Sequence, residues 1–255
     1  MTITATIAAL ALAVPVGISL GLLGGGGSIL TVPILTAVAG VEPRAAIASS
    51  LLVVGATSAA SLVQHVRAGR VRWRVGVPFG AAGVVGSMGG GLLGGLLPAS
   101  VLMLLLAGTM IAAAVAMLRR RGRPAEEASP RLVLILILGA AVGVLAGLVG
   151  AGGGFLIVPA LIVLAGLPAS AAIGTSLLVI AMQALAGLVA QPAVADIPWQ
   201  LVLPFTATAI IASFIGSTLT SRIPERALRA GFAALVFAVA VALLLQQLAI
   251  HLSLL

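Results

Sequence analysis

The sequence predicts an all-α polytopic membrane protein built from two inverted-topology repeats of about five helical segments each. Three observations carry that prediction: the composition, an internal duplication, and the partition of arginine between loops. Of the 255 residues, 62% are hydrophobic and 7% are charged. A soluble domain carries roughly a quarter charged residues, and no soluble interior could hide this much apolar surface, so the chain belongs in a bilayer. There is no cysteine, which removes disulfides and thiolate metal sites. The formal charge of +8 sits in short arginine clusters between apolar runs. That is the pattern of cytoplasmic loops rather than of a nucleic-acid face.

The duplication appears when Gly21 is laid on Gly147 and the rest of the chain follows without a gap. Gly26-Gly27 then falls on Gly152-Gly153, Val32-Pro33 on Val158-Pro159, and Gly40 on Gly166. The run "AAIASSLLVV" from Ala45 falls on "AAIGTSLLVI" from Ala171, Trp73 on Trp199, Pro78-Phe79 on Pro204-Phe205, and Pro98 on Pro224. Apolar bias alone would not align Gly, Pro and Trp. Repeats of this kind build many secondary transporters.

The elements follow in order. The opening "MTITATIAALALAVPVG" has the apolar run of a signal core but no positive n-region. It therefore reads as the first membrane segment, near 4–22. The remaining segments of the first half fall near 28–40, 44–65, 75–97 and 100–118, and those of the second near 132–149, 154–166, 170–190, 199–221 and 227–250. Most suit a span of about 20 residues. The second segment of each half does not: its helix covers only about 20 Å, short of a ~30 Å hydrocarbon core. Residues 1–118 thus form a first membrane repeat, 119–131 a basic linker and 132–255 a second membrane repeat.

Arginine sets the orientation. The loop 66–74 carries Arg67, Arg70, Arg72 and Arg74, and the central loop 119–131 carries Arg119, Arg120, Arg121, Arg123 and Arg131. Both read as cytoplasmic. The second-half counterpart of the first loop, "QPAVADIP", carries Asp196 and no Arg, and reads as external; the turn 222–229, with Arg222, Arg226 and Arg229, reads as internal. Equivalent loops therefore have opposite charge character, as expected of inverted halves with an odd number of crossings. The rival count of four crossings per half would make the halves parallel.

The runs "GLLGGGGSILTVP" and "GLVGAGGGFLIVP" raise the functional question. Glycine runs break the helical ladder, and a broken backbone at membrane depth is tolerated only against protein, water or ligand. A half-helix starting at Ser28 and another at Gly154 would direct backbone N–H groups and partial positive charge at an anion. The competing explanation is close helix packing through small residues. That explanation is preferred for "GSMGGGLLGG" at 86–95, whose counterpart keeps only Ser213 and Gly216. Candidate substrate-binding residues are Gly25, Gly26, Gly27 and Ser28 with Gly152, Gly153 and Gly154. The paired hydroxyls Ser49 and Ser50 with Thr175 and Ser176, and the intramembrane amide Gln183, would line the path. Gln183 corresponds to Thr57, which Ser58 follows; Ser61, Gln64 and His65 approach the loop, where His65 reads as a solvated neighbour of Arg67. The five acidic residues, Glu42, Glu126, Glu127, Asp196 and Glu225, all fall in loops or turns. No carboxylate remains for a metal-cation site or proton relay, so neither metal nor cofactor is expected. An intramembrane enzyme would need a serine–histidine dyad or two buried aspartates; His251 lies at the C-terminus, His65 beside a loop, and there is one Asp.

With "GLLGGGGSILTVPIL" and "AAIASSLLV" in the first half and "GLVGAGGGFLIVPAL" and "AAIGTSLLV" in the second, the chain resembles the TauE/SafE family of membrane transporters, the sulfite exporters. The resemblance covers essentially the whole chain. It implies a bacterial inner-membrane permease, not an enzyme, for a small anion such as sulfite, sulfoacetate or another sulfonate. Ser28 stands where the second copy has Gly154, so the two half-sites need not be equivalent. The expected partners are the anionic substrate and the lipid bilayer, with no nucleic acid; homo-oligomerisation, coupling ion and direction of transport stay open. So does an anion channel or uniporter in place of alternating access.

Overall fold

A computed structural model describes residues 3–25, 27–94, 99–119, 132–149, 154–190, 192–220 and 222–253. Among them every regular element is helical. The helices are α1 (Ile3–Leu23), α2 (Ser28–Pro33), α3 (Pro43–Arg67), α4 (Trp73–Gly94), α5 (Ala99–Arg119), α6 (Leu132–Val149), α7 (Gly154–Pro159), α8 (Ala169–Ala190), α9 (Trp199–Leu219) and α10 (Glu225–Ser253). By length and composition α1, α3, α8 and α9 can cross a membrane, and Ala107–Arg119, Leu132–Leu148 and Gly154–Leu164 are shorter apolar stretches. The half-length pieces start where the glycine runs end, at Ser28 and Gly154.

Those two pieces are not plain α-helix. Each changes after its proline into a π-helical turn, Ile34–Val38 and Ala160–Leu164. Proline supplies no N–H and crowds the carbonyl four residues back, and the following turn widens so that Ala39 N–H reaches Ile34 O (3.2 Å) and Ala165 N–H reaches Ala160 O (3.0 Å). Gly40 (φ 66°) and Gly166 (φ 77°) then close the ends in the left-handed region. Val41 N–H bonds Leu35 O and Leu167 N–H bonds Leu161 O, one residue wider than the bond of a Schellman stop because the preceding turn is π-helical. At the start of α3, Pro43 pre-sets the first turn and the Glu42 carboxylate accepts from the N–H groups of Arg44 and Ala45, at 2.9 and 3.1 Å.

Packing interleaves the repeats. α1 lies along α9, and their counterparts α6 and α4 lie along each other; α3 meets α8, α5 meets α10, and α2 meets α7. Exchanging the two halves leaves this pattern unchanged, down to single residues. A Cβ on Gly17 would strike the Ala209 carbonyl and one on Gly21 the Ser213 carbonyl; the equivalent Gly143 and Gly147 face the Gly83 and Ser87 carbonyls in the same way. These seams are parallel, since residue numbers rise together on both helices. Gly86 and Gly90 lie against the carbonyls of Ala140 and Val144, so that run serves close backbone approach.

The central pair runs the other way. Gly55 faces Ala184 while Leu51 faces Gly187, so α3 and α8, although equivalent, pass antiparallel. Exchanging the halves turns the Gly55–Ala184 contact into Ser58–Ala181. The exchange centre therefore falls beside Thr57 and Gln183. α4 follows α8 in parallel, Gly76 facing Thr175 and Leu178, and Gly80 facing Val179 and Met182. Phe79 and Phe205, equivalent in the two repeats, anchor the two buried apolar clusters.

Candidate functional site

α1 stops because Gly24 turns left-handed (φ 81°) while its N–H still bonds Leu20 O at 2.9 Å. The chain then doubles back through the break into α2. At Gly25 the backbone lies directly on the Gly154 backbone, and a side chain there would collide with the Gly154 carbonyl. Gly27 is pressed against Val16 O, Ser19 and Leu20 of α1. Ser28 Oγ donates to Gly25 O (2.7 Å) and borders the Gly154 Cα. The two breaks therefore meet, and they meet at the self-equivalent pair Ser28 and Gly154. Gly26, Gly152 and Gly153 lie outside the described residues.

Local hydrogen bonds already engage part of this backbone. The Gly25 N–H reaches Leu23 O (3.2 Å) and the Ser28 N–H reaches Gly25 O (3.4 Å). Thr31 Oγ1 donates to Gly27 O at 3.2 Å.

The paired hydroxyls do not gather in one place. Ser176 sits beside Gly24, close enough that a Cβ on the glycine would strike its Oγ, and Ser176 Oγ donates to Ile173 O (2.7 Å). Thr175 Oγ1 accepts the Arg72 N–H at 3.0 Å, which ties the basic loop to α8. Ser49 Oγ donates back to Ala45 O (2.6 Å), and Ser50 is buried. Because α3 and α8 are antiparallel, Ser49-Ser50 and Thr175-Ser176 lie on opposite sides of their crossing. The first break is thus lined by a hydroxyl of the second repeat. Gln183 is buried at the crossing with Nε2 unpartnered, in space left by Gly83.

His65 departs from the solvated position expected of it. It is 1% exposed. α1 ends at Leu23, so its last carbonyls lack helical partners. His65 Nε2 donates to Gly21 O (3.3 Å), and Thr220 Oγ1 lies 3.4 Å from Gly21 O and 3.3 Å from Leu22 O. Ser217 Oγ donates to Gln64 Oε1 beside them, and the basic loop folds over the histidine through Arg70 N–H to His65 O (3.0 Å). Tertiary demand for capping groups pulls the ring inward.

Thr57, Ser58 and Ser61, noted in the sequence but left out of its site, are fully buried with unpartnered hydroxyls. Each such group costs about 1–3 kcal/mol unless something satisfies it. The signal that could have found them is their spacing with His65 along one side of a single helix.

The protein family described as Sulfite exporter TauE/SafE matches residues 9–243. A probable membrane transporter protein of Xylella fastidiosa (strain 9a5c) is 35% identical over 249 residues, covering 94% of this chain and 95% of the relative. The probable membrane transporter proteins YdhB and YunE of Bacillus subtilis (strain 168) are similar at 28% and 25% identity. The YdhB match covers 84% of this chain and 89% of the relative, the YunE match 80% and 85%. No solved structure matches the chain.

Proposed function

The chain belongs to the sulfite exporter TauE/SafE family of membrane transporters, and from that premise we propose that it carries a small anion, sulfite or an organosulfonate, by alternating access. The observation that carries the reading is the meeting of the two glycine breaks, Gly25 on Gly154 with Ser28 between them. The first break meets the start of the second half-helix at a pair of residues, Ser28 and Gly154, that exchange of the repeats maps onto itself, and both half-helices begin there. Helix N-termini favour negative charge, and glycine leaves the backbone open to a ligand. The proposed site takes in Gly27 and Ser50 and, by their place in the two glycine runs alone, Gly26, Gly152 and Gly153, with Ser176 beside Gly24.

The antiparallel passage of α3 and α8 supports inverted repeats, with 1–118 and 132–255 as the units. In that arrangement the loops 66–74, 119–131 and 222–229 face the cytoplasm of a bacterial inner membrane. An inverted pair joined at its centre can expose one site to either side by rocking.

The test is the purified protein in liposomes with sulfite, a sulfonate and thiosulfate as substrates. Saturable flux, with one anion competing against another, is the expected result. Flux linear in concentration favours an anion channel, and absence of flux for all three defeats the reading.

A further inference from the structure

Thr57, Ser58, Ser61 and His65 lie on one side of α3, between its crossing with α8 and the basic loop. The three hydroxyl residues are 0% exposed and His65 is 1% exposed. Many hydroxyls elsewhere in the fold return to a carbonyl of their own helix, as Ser49 does to Ala45, Ser176 to Ile173, Thr206 to Val202 and Ser213 to Ile210, and Ser170 donates to the Glu225 carboxylate. These three do not, and their donors are unpartnered. The ring beside them is also half used. Its Nε2 faces the Gly21 carbonyl, which can only accept, so a neutral ring carries its hydrogen on Nε2 and presents a bare lone pair at Nδ1. Nδ1 is unpartnered as well.

The stripe is confined to one repeat. The counterparts of Thr57, Ser58, Ser61 and His65 in the second repeat are Gln183, Ala184, Gly187 and Gln191, with no hydroxyl or imidazole among them. A requirement of the fold, which both repeats share, does not explain it.

We infer that this stripe binds an oxyanion together with one proton. The inference rests on the anion reading above and gives that transport its coupling. Three hydroxyls donate to oxygens that only accept. The Nδ1 lone pair opposes an anion until a proton lies between them, carried either by the ring or by the anion. Anion and proton therefore occupy the site as a pair. Among the described residues, the groups placed beside the ring include no carboxylate: α1 offers the Gly21 carbonyl, α9 the hydroxyls of Ser217 and Thr220, and α3 the Gln64 amide. The charged neighbours are Arg70, bonded through its N–H to His65 O, and Arg67 in the last turn of α3. Glu225, at the start of α10, accepts a hydrogen bond from Ser170 (3.0 Å).

The experiment loads liposomes containing the full chain with a pH-sensitive dye and imposes an inward gradient of sulfite or a sulfonate in mildly alkaline buffer. Lumenal acidification in step with anion entry is expected. His65→Gln keeps a donor for Gly21 but has no Nδ1; it should slow the flux and bring the proton-to-anion ratio close to zero. Ser58→Ala with Ser61→Ala should raise the half-saturation concentration about tenfold while the ratio stays at the wild-type value. Anion entry without acidification in the wild type, or an unchanged ratio in His65→Gln, overturns the inference and leaves the transporter reading standing. Absence of anion entry in the wild type overturns the transporter reading itself, and the inference with it.

Discussion

Gly24→Ala tests whether the first break is lined by the second repeat. Two costs combine at this position. The backbone is left-handed at φ 81°, where a Cβ costs roughly 1–2 kcal/mol. The added methyl would also strike Ser176 Oγ, with Val158 Cγ2 at 3.2 Å and Ile173 O at 3.3 Å behind it; overfilling of this kind costs about 1–3 kcal/mol. The single variant should lose about 2–5 kcal/mol in all. Ser176→Ala removes the atom struck and should cost about 0.5–1.5 kcal/mol alone through its lost bond to Ile173 O. Made together, the two changes should fall short of additivity by about 1–2 kcal/mol, because the collision goes while the strained φ stays. Unfolding in mixed micelles, titrated with a denaturing detergent, measures the four members of the cycle. Additive losses would refute the cross-repeat contact, and an undisturbed Gly24→Ala would refute both the contact and the left-handed turn.

Other outcomes follow from the same geometry. Gly40 is left-handed at φ 66° but a Cβ there meets nothing within 4 Å, so Gly40→Ala should lose only about 1 kcal/mol in the same assay, well below Gly24→Ala. Glu42→Ala removes the cap that receives the Arg44 and Ala45 N–H groups and should cost about 1 kcal/mol, with transport retained in the liposome assay. The chain has no cysteine, so Ala68→Cys and Ala195→Cys, at equivalent ends of α3 and α8, can be labelled singly with an impermeant thiol reagent in inside-out and right-side-out vesicles. Labelling from opposite sides is expected of inverted repeats, and labelling from the same side would overturn the inversion.

Much of the architecture could be read locally. Glycine and proline punctuate the chain, and their repetition fixed where α2 and α7 begin, at Ser28 and Gly154, because backbone freedom and a missing N–H act on immediate neighbours alone. The duplication likewise announced that every element would have a partner. The widening of α2 and α7 into π-turns was harder to see. It depends on how the strain of Pro33 and Pro159 is shared with Gly40 and Gly166 several residues on.

The sequence by itself determined the membrane class, the ten helical pieces and the two breaks, since these depend on composition, periodicity and local backbone preference. Only the tertiary structure decided which glycine lies on which carbonyl, that Ser176 of one repeat lines the break of the other, and that α3 and α8 cross antiparallel. It also decided the fate of the polar groups. Ser49 and Ser58 are both serines of α3, yet Ser49 bonds back to its own helix and Ser58 is buried without a partner. A hydroxyl's partner is set by the space and acceptors that neighbouring helices provide, and those neighbours are distant in the chain. For the same reason His65, one turn from an arginine-rich loop, lies buried against the end of α1, where unpaired carbonyls require a donor.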